Sequence, residues 1–255
     1  AIEARGRVEG AQWQRLAGWT EDLAVSPDGR HLAAVRRPDP DRPPELVVWT
    51  TAEDTLTTAV RAARDSALAR DPEDVAAVEW RPRPKVPVAR LAPAAGRGHR
   101  GPRWLPDGEG ILVVRPEGLG DGRVRSDLFV WRWKGGGLRR VTHGAGIRDA
   151  DPEPGGTTAV GTRCLDGACD LVRIDLATGS VTMVADGVPG ERSWHRPRVS
   201  PDGARIAASV QEGGRWRLAL LAPDGRELGA AGPDDAATRF DAEWLPDGEA
   251  LVAVS

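Results

Sequence analysis

The sequence has no tyrosine and no asparagine, and its 255 residues include two phenylalanines, one methionine and two cysteines. Without asparagine there is no N-glycosylation sequon. No run approaches 18 apolar residues, which excludes a membrane-spanning helix. The formal net charge is -3 with acids and bases interspersed, so there is no field to recruit nucleic acid or an anionic membrane. The N-terminal Ala1-Ile2-Glu3-Ala4-Arg5 has neither Met nor the basic and apolar regions of a signal peptide, as expected if a signal has been removed or if the chain is an excised segment.

What is abundant is glycine (31), proline (21) and tryptophan (10), with alanine and arginine, the usage of a GC-rich bacterial genome. Hydrophobic residues at 40% and charged residues at 29% describe a globular chain able to bury a core, in one large all-β domain or two smaller ones. Cys164 and Cys169 flank Leu165-Asp166-Gly167-Ala168, whose Asp-Gly reads as a hairpin turn that sets the two thiols opposite each other. A bridge there would contribute roughly 2 kcal/mol and persist only in an oxidising compartment, which points to the periplasm or the extracellular space. The alternative is a pair of reduced thiols in a cytosolic protein.

Ser26-Pro27-Asp28-Gly29, Leu105-Pro106-Asp107-Gly108, Ser200-Pro201-Asp202-Gly203 and Leu245-Pro246-Asp247-Gly248 are four copies of one turn. Proline presets φ, aspartate caps its own backbone, and glycine takes the positive φ that closes the hairpin. An apolar run follows each turn, as in Ile111-Leu112-Val113-Val114 and Ile206-Ala207-Ala208-Ser209-Val210. Third strands follow at Glu45 to Trp49, Asp127 to Trp131, Asp170 to Ile174 and Trp216 to Leu221. Fourth strands come after Thr178-Gly179 and after Asp224-Gly225. Asp202 to Asp247 is 45 residues, and the 95 from Asp107 to Asp202 hold a degenerate copy at Glu153-Pro154-Gly155-Gly156. Four strands on this period make a β-propeller blade.

The expected fold is therefore all-β: a propeller of four-stranded blades with five blade starts, the last incomplete at Leu251 to Ser255, so that the native protein would extend beyond this segment. Residues 1–255 are taken as one partial propeller domain. The 79 residues from Asp28 to Asp107 exceed the period, and residues 60–100, with a short helix and the Pro-rich Arg81-Pro82-Arg83-Pro84-Lys85-Val86-Pro87, are expected to be an insertion between blades.

The four turns, the Trp or Val preceding them, and Arg140-Val141-Thr142-His143-Gly144 leading into Asp149-Ala150-Asp151-Pro152 resemble the repeats of TolB-like propeller proteins. A related set forms the propeller of prolyl oligopeptidase-type peptidases. The first resemblance implies a non-catalytic, protein- or ligand-binding scaffold of the bacterial cell envelope, with a protein or peptide partner. The second implies a substrate-gating domain whose α/β-hydrolase partner lies outside this chain. Glu-Pro-Gly-Gly in one blade and the helical insertion depart from both patterns.

No Gly-x-Ser-x-Gly elbow, His-Glu-x-x-His, P-loop or dinucleotide fingerprint occurs, and His31, His99, His143 and His195 lack zinc spacing, so no catalytic residue, metal or cofactor is expected. What remains are the segments entering each inner strand, which converge at one mouth of a propeller channel. From them Arg100, Asp149, Asp151, Trp194, His195, Arg196 and Asp241 are the candidate binding residues, for a peptide terminus or an ionic ligand. The competing reading is a solvated face whose charges pair with one another. A lyase or hydrolase would need His195 beside Asp149 or Asp241. Trp104 and Trp244 occupy one blade position and are expected between blades, Trp49, Trp131 and Trp216 are structural, and Trp194 is the one expected to touch a ligand.

Overall fold

The computed structural model describes residues 15–16, 19–52, 55–74, 77, 84–94, 97–232 and 238–254. Residues 1–5, 81–83 and 255, read above from the sequence, lie outside these. A short strand β1 (Arg15–Leu16) precedes the first blade, whose β2 (Trp19–Val25), β3 (His31–Arg37) and β4 (Glu45–Thr50) run antiparallel. Helix α1 (Thr55–Arg70) and β5 (Pro84–Lys85), which pairs in parallel with β1, intervene before β6 (Ala89–Leu91) closes that blade against β4. The extra residues thus interrupt a blade between its third and fourth strands, where the sequence suggested a spacer between blades. The period could not distinguish the two, because β6 is only three residues long.

The second blade is β7 (Arg100–Trp104), β8 (Gly110–Gly118), β9 (Val124–Arg132) and β10 (Gly137–Arg140). The third is β11 (Ile147–Pro152), β12 (Thr158–Leu165), β13 (Ala168–Asp175) and β14 (Val181–Ala185). The fourth is β15 (Arg192–Val199), β16 (Ile206–Glu212), β17 (Arg215–Leu221) and β18 (Glu227–Ala230). A fifth begins with β19 (Phe240–Trp244) and β20 (Leu251–Val254). The chain is an all-β propeller with four blades of four antiparallel strands, plus this two-stranded start and one helix.

The middle strands read as unbroken apolar runs because both of their faces are covered. Along β8, Ile111 and Val113 face the first blade in a cluster with Leu46, Val48 and Trp104. Leu112 and Val114 face the third, against Ile147, Val172 and Ile174. The two-residue period of a strand sends alternate side chains to opposite blades. A third cluster joins the next pair through Val160, Leu171, Trp194, Ile206 and Leu221.

The turns behave as their chemistry requires. Asp28 accepts the Ser26 hydroxyl at 2.6 Å and the Arg30 N–H at 3.0 Å, and Asp202 accepts the Ser200 hydroxyl at 2.5 Å and the Ala204 N–H at 3.0 Å. Gly29, Gly108, Gly203 and Gly248 sit at φ of 71°, 66°, 72° and 71°. The Trp104 indole donates to the Ala24 carbonyl of the preceding blade at 2.9 Å, and Trp244 donates to Arg198 at 2.9 Å. Each such ring packs between blades while satisfying its N–H. Cys164 and Cys169 are register partners on β12 and β13 and are disulfide-bonded, S–S 2.03 Å. Asp166 and Gly167 between them have φ of 51° and 89°, the positive pair of a two-residue hairpin turn.

Candidate functional site

Every inner strand is interrupted by a β-bulge just after its lead-in. The register shifts fall between Glu21 and Leu23, Arg100 and Arg103, Ile147 and Asp149, His195 and Arg198, and Phe240 and Ala242. Asp22, Gly101, Arg196 and Asp241 adopt positive φ there, at 48°, 56°, 47° and 52°. A bulge re-aims the side chain it carries, and holding Arg196 in this region costs on the order of 1 kcal/mol, which the surrounding contacts must offset. Those contacts join successive blades: Asp22 accepts the Gly101 N–H at 3.1 Å, Asp149 accepts the Arg196 N–H at 3.2 Å, and Ser209 Oγ accepts the Asp241 N–H at 3.0 Å.

The bulges of the third, fourth and fifth blades meet around a pocket of about 370 Å³ lined by Asp149, His195, Arg196, Ser209, Trp216, Phe240 and Asp241. Arg196 and Asp241 form an ion pair at 3.0 Å on its rim. The His195 ring leans on Trp216 with centroids 5.0 Å apart. Burial lowers the His195 pKa, Asp149 and Asp241 pull it back up, and Arg196 and Arg148 push it down further. Burial raises the Asp149 pKa, against the lowering effects of Thr162, Arg198 and the Arg196 N–H. Asp149 Oδ1 and Thr162 Oγ1, opposite each other in register, are both left without a well-formed hydrogen bond. Ser209 and His195 are also cross-strand partners, but the serine hydroxyl is engaged by Asp241 and no hydrogen bond joins it to the imidazole. The result is a polar, aromatic-walled recess suited to gripping a ligand that combines an N–H donor with an apolar group.

Of the candidates from sequence, Asp149, His195, Arg196 and Asp241 come together here. Arg100 does not; it faces a second groove on the other side of the third blade. Trp194 does not touch the pocket: it is 2% exposed, packed in the core, and its indole donates to the Asp186 carbonyl at 2.9 Å. Neighbouring residues of a strand point to opposite faces, so placing His195 in the pocket sends Trp194 inward. Asp151 also lies deeper than the mouth. Its carboxylate takes Arg103 at 2.6 Å and the Val199 N–H at 2.8 Å.

Asp151 belongs to an axial network that the sequence reading missed. Arg103, Asp151, Arg198 and Glu243 occupy the same place in the second to fifth inner strands. Arg103 bonds Glu243 through both terminal nitrogens at 2.8 and 2.7 Å, and Arg198 reaches the same glutamate at 3.1 Å. Burial opposes the Arg103 charge, but Asp151 and Glu243 outweigh it and raise its pKa. The signal was available as alternating charge two residues before the turn proline's predecessor. Ser209 and Trp216 were also missed as site residues, because they reach the pocket from second and third strands. Among the described residues no group of three or more His, Cys, Asp or Glu is placed to hold a metal ion, and no helix is long and apolar enough to cross a membrane.

No family model and no curated protein matches the chain. Among solved structures it is similar to TolB from Acinetobacter baumannii, with 17% identity and a TM-score of 0.59 over 92% of this chain and 48% of that one. It is similar to a protein described as a TolB from Agrobacterium tumefaciens, at 16% and 0.62 over 94% and 76%. A structure from work on two prolyl endopeptidases matches at 15% and 0.54, over 89% and 31%. The chain thus spans about half the length of the Acinetobacter protein and under a third of the endopeptidase. At these identities the likeness is one of fold, the propeller shared by TolB and the prolyl oligopeptidase-type peptidases.

Proposed function

We propose that this chain is a non-catalytic binding scaffold of the bacterial cell envelope whose mouth pocket takes the end of a protein or peptide partner. The observation that carries the reading is the convergence of Asp149, His195, Arg196 and Asp241 from three blades beside Trp216 and Phe240. Carboxylates paired with an aromatic wall suit a peptide amino group and its first side chain, and a rigid bulge on each strand presents them with little ordering cost. The disulfide and the TolB-like fold support an oxidising, envelope location. The test is fluorescence anisotropy with pairs of short peptides, free or acetylated at the N-terminus, against the intact chain and its Asp241→Ala and His195→Ala variants. Binding that needs the free terminus and weakens in both variants is expected; binding indifferent to both substitutions overturns the reading.

The match to the prolyl endopeptidase supports a second reading, a substrate-gating propeller. A Gly-x-Ser-x-Gly elbow with later Asp and His encoded in the same gene would favour it over the scaffold.

A further inference from the structure

The groove that Arg100 faces lies between the second and third blades, on the same mouth but apart from the pocket above. It has a volume of about 410 Å³. Arg100 enters from the lead-in of β7, Arg125 from the start of β9 and Arg148 from the bulge of β11, with Leu165 and Cys164 of the disulfide hairpin as an apolar wall. Three guanidinium groups therefore face a single carboxylate, that of Asp166. The field of Asp166 is shared with Arg123 outside the groove.

Many arginines elsewhere in this protein are neutralised by carboxylates, while others, such as Arg139 and Arg205, donate to backbone carbonyls. Arg103, Arg132, Arg140, Arg163, Arg173, Arg192, Arg198 and Arg217 each hold a carboxylate. Among the described residues the side chains of Arg100 and Arg148 make no hydrogen bond or ion pair, and the Arg125 guanidinium donates only to the Gly144 carbonyl at 3.2 Å. Cations concentrated in a concave site without partners raise the local concentration of anions, and a guanidinium fork matches an oxyanion through two parallel hydrogen bonds. We infer that this groove is a second binding site, specific for an oxyanion ligand, a carboxylate or a phosphate group, held by Arg100, Arg125 and Arg148. The inference is independent of what the neighbouring pocket binds.

Calorimetric titration of the intact chain at low salt tests it with three probes: citrate, an amidated tetraglutamate peptide and inorganic pyrophosphate. At least one is expected to bind, with affinity falling as salt rises and falling about tenfold or more in the Arg100→Gln/Arg148→Gln double variant. Both side chains are exposed and unpaired, so the double variant should melt at the wild-type temperature. Arg226→Gln, which removes one charge on the β17–β18 turn, should leave binding unchanged. Binding of citrate or the glutamate peptide alone identifies a carboxylate ligand, and binding of pyrophosphate alone a phosphoryl ligand. If no probe binds, or if the double variant binds as the wild type does, the site does not exist.

Discussion

His99 has zero exposure, and neither of its ring nitrogens is hydrogen-bonded. Burial, aided by the Arg115 cation and opposed by Glu117, lowers its pKa from 6.5 to about 4. Between these values the unfolded chain holds a proton that the folded chain releases. Stability is therefore complete above pH 6.5 and declines as pH falls toward 4, by about 3 kcal/mol in all for this group. Urea midpoints across that window should fall more steeply for the wild type than for His99→Leu; parallel profiles would show that the imidazole is not the cause. Asp127 is the opposite case. Burial would raise its pKa, but N–H donors from Ala145 and Gly144, the Arg140 guanidinium and the Thr142 hydroxyl together hold it below the usual carboxylate range. Asp127→Asn replaces one acceptor oxygen by a donor that faces these same donors, and a thermal melt should show a loss of roughly 3 kcal/mol.

At the scale of elements, most of the architecture was legible because turn chemistry is local. Proline, aspartate and glycine in that order specify a hairpin whatever surrounds them, and the third blade's Glu153-Pro154-Gly155-Gly156 still folds as one, with Gly156 at φ 69°. Gly155 there does not need a positive φ, and a side chain would find its nearest neighbour, Thr157 Oγ1, at 3.9 Å. Gly155→Asp restores the consensus cap and stiffens the unfolded chain, so it should stabilise by about 0.5–1 kcal/mol. Gly203→Ala, at φ 72°, should cost about 1–2 kcal/mol in the same chemical-denaturation assay. What was not legible was spatial: Ser209 on β16 and Trp216 on β17 meet His195 only once the sheet registers are known. The fourth strand of the first blade escaped notice for a related reason, since three residues carry almost no periodicity.

At the scale of the whole molecule, the axial charges are the element most exposed to a single change. Arg103→Met would leave the carboxylate of Asp151, which is 4% exposed, with the Val199 N–H but no countercharge, and remove the main partner of Glu243, at an expected cost of roughly 3–5 kcal/mol. A companion Arg103→Met/Glu243→Gln variant should lose little more than the single one, because the two share one interaction; an additive loss in equilibrium unfolding would mean that the pair is not coupled. The sequence carries these four positions as alternating charge three residues before each turn proline, but not that they meet, because which parity of an inner strand faces the axis is decided by how the blades assemble.

Among the described residues the packed cores join each blade only to its neighbours in sequence, first to second, second to third, third to fourth. A protein held together in that way alone would unfold as a row of nearly independent units, fraying from either end. Arg103 and Glu243, 140 residues apart, tie the second blade to the fifth. That tie gives the row a memory of its far end: the fifth blade cannot peel away without disturbing the second. It makes cooperativity, and not strength alone, the property that the axial pair confers.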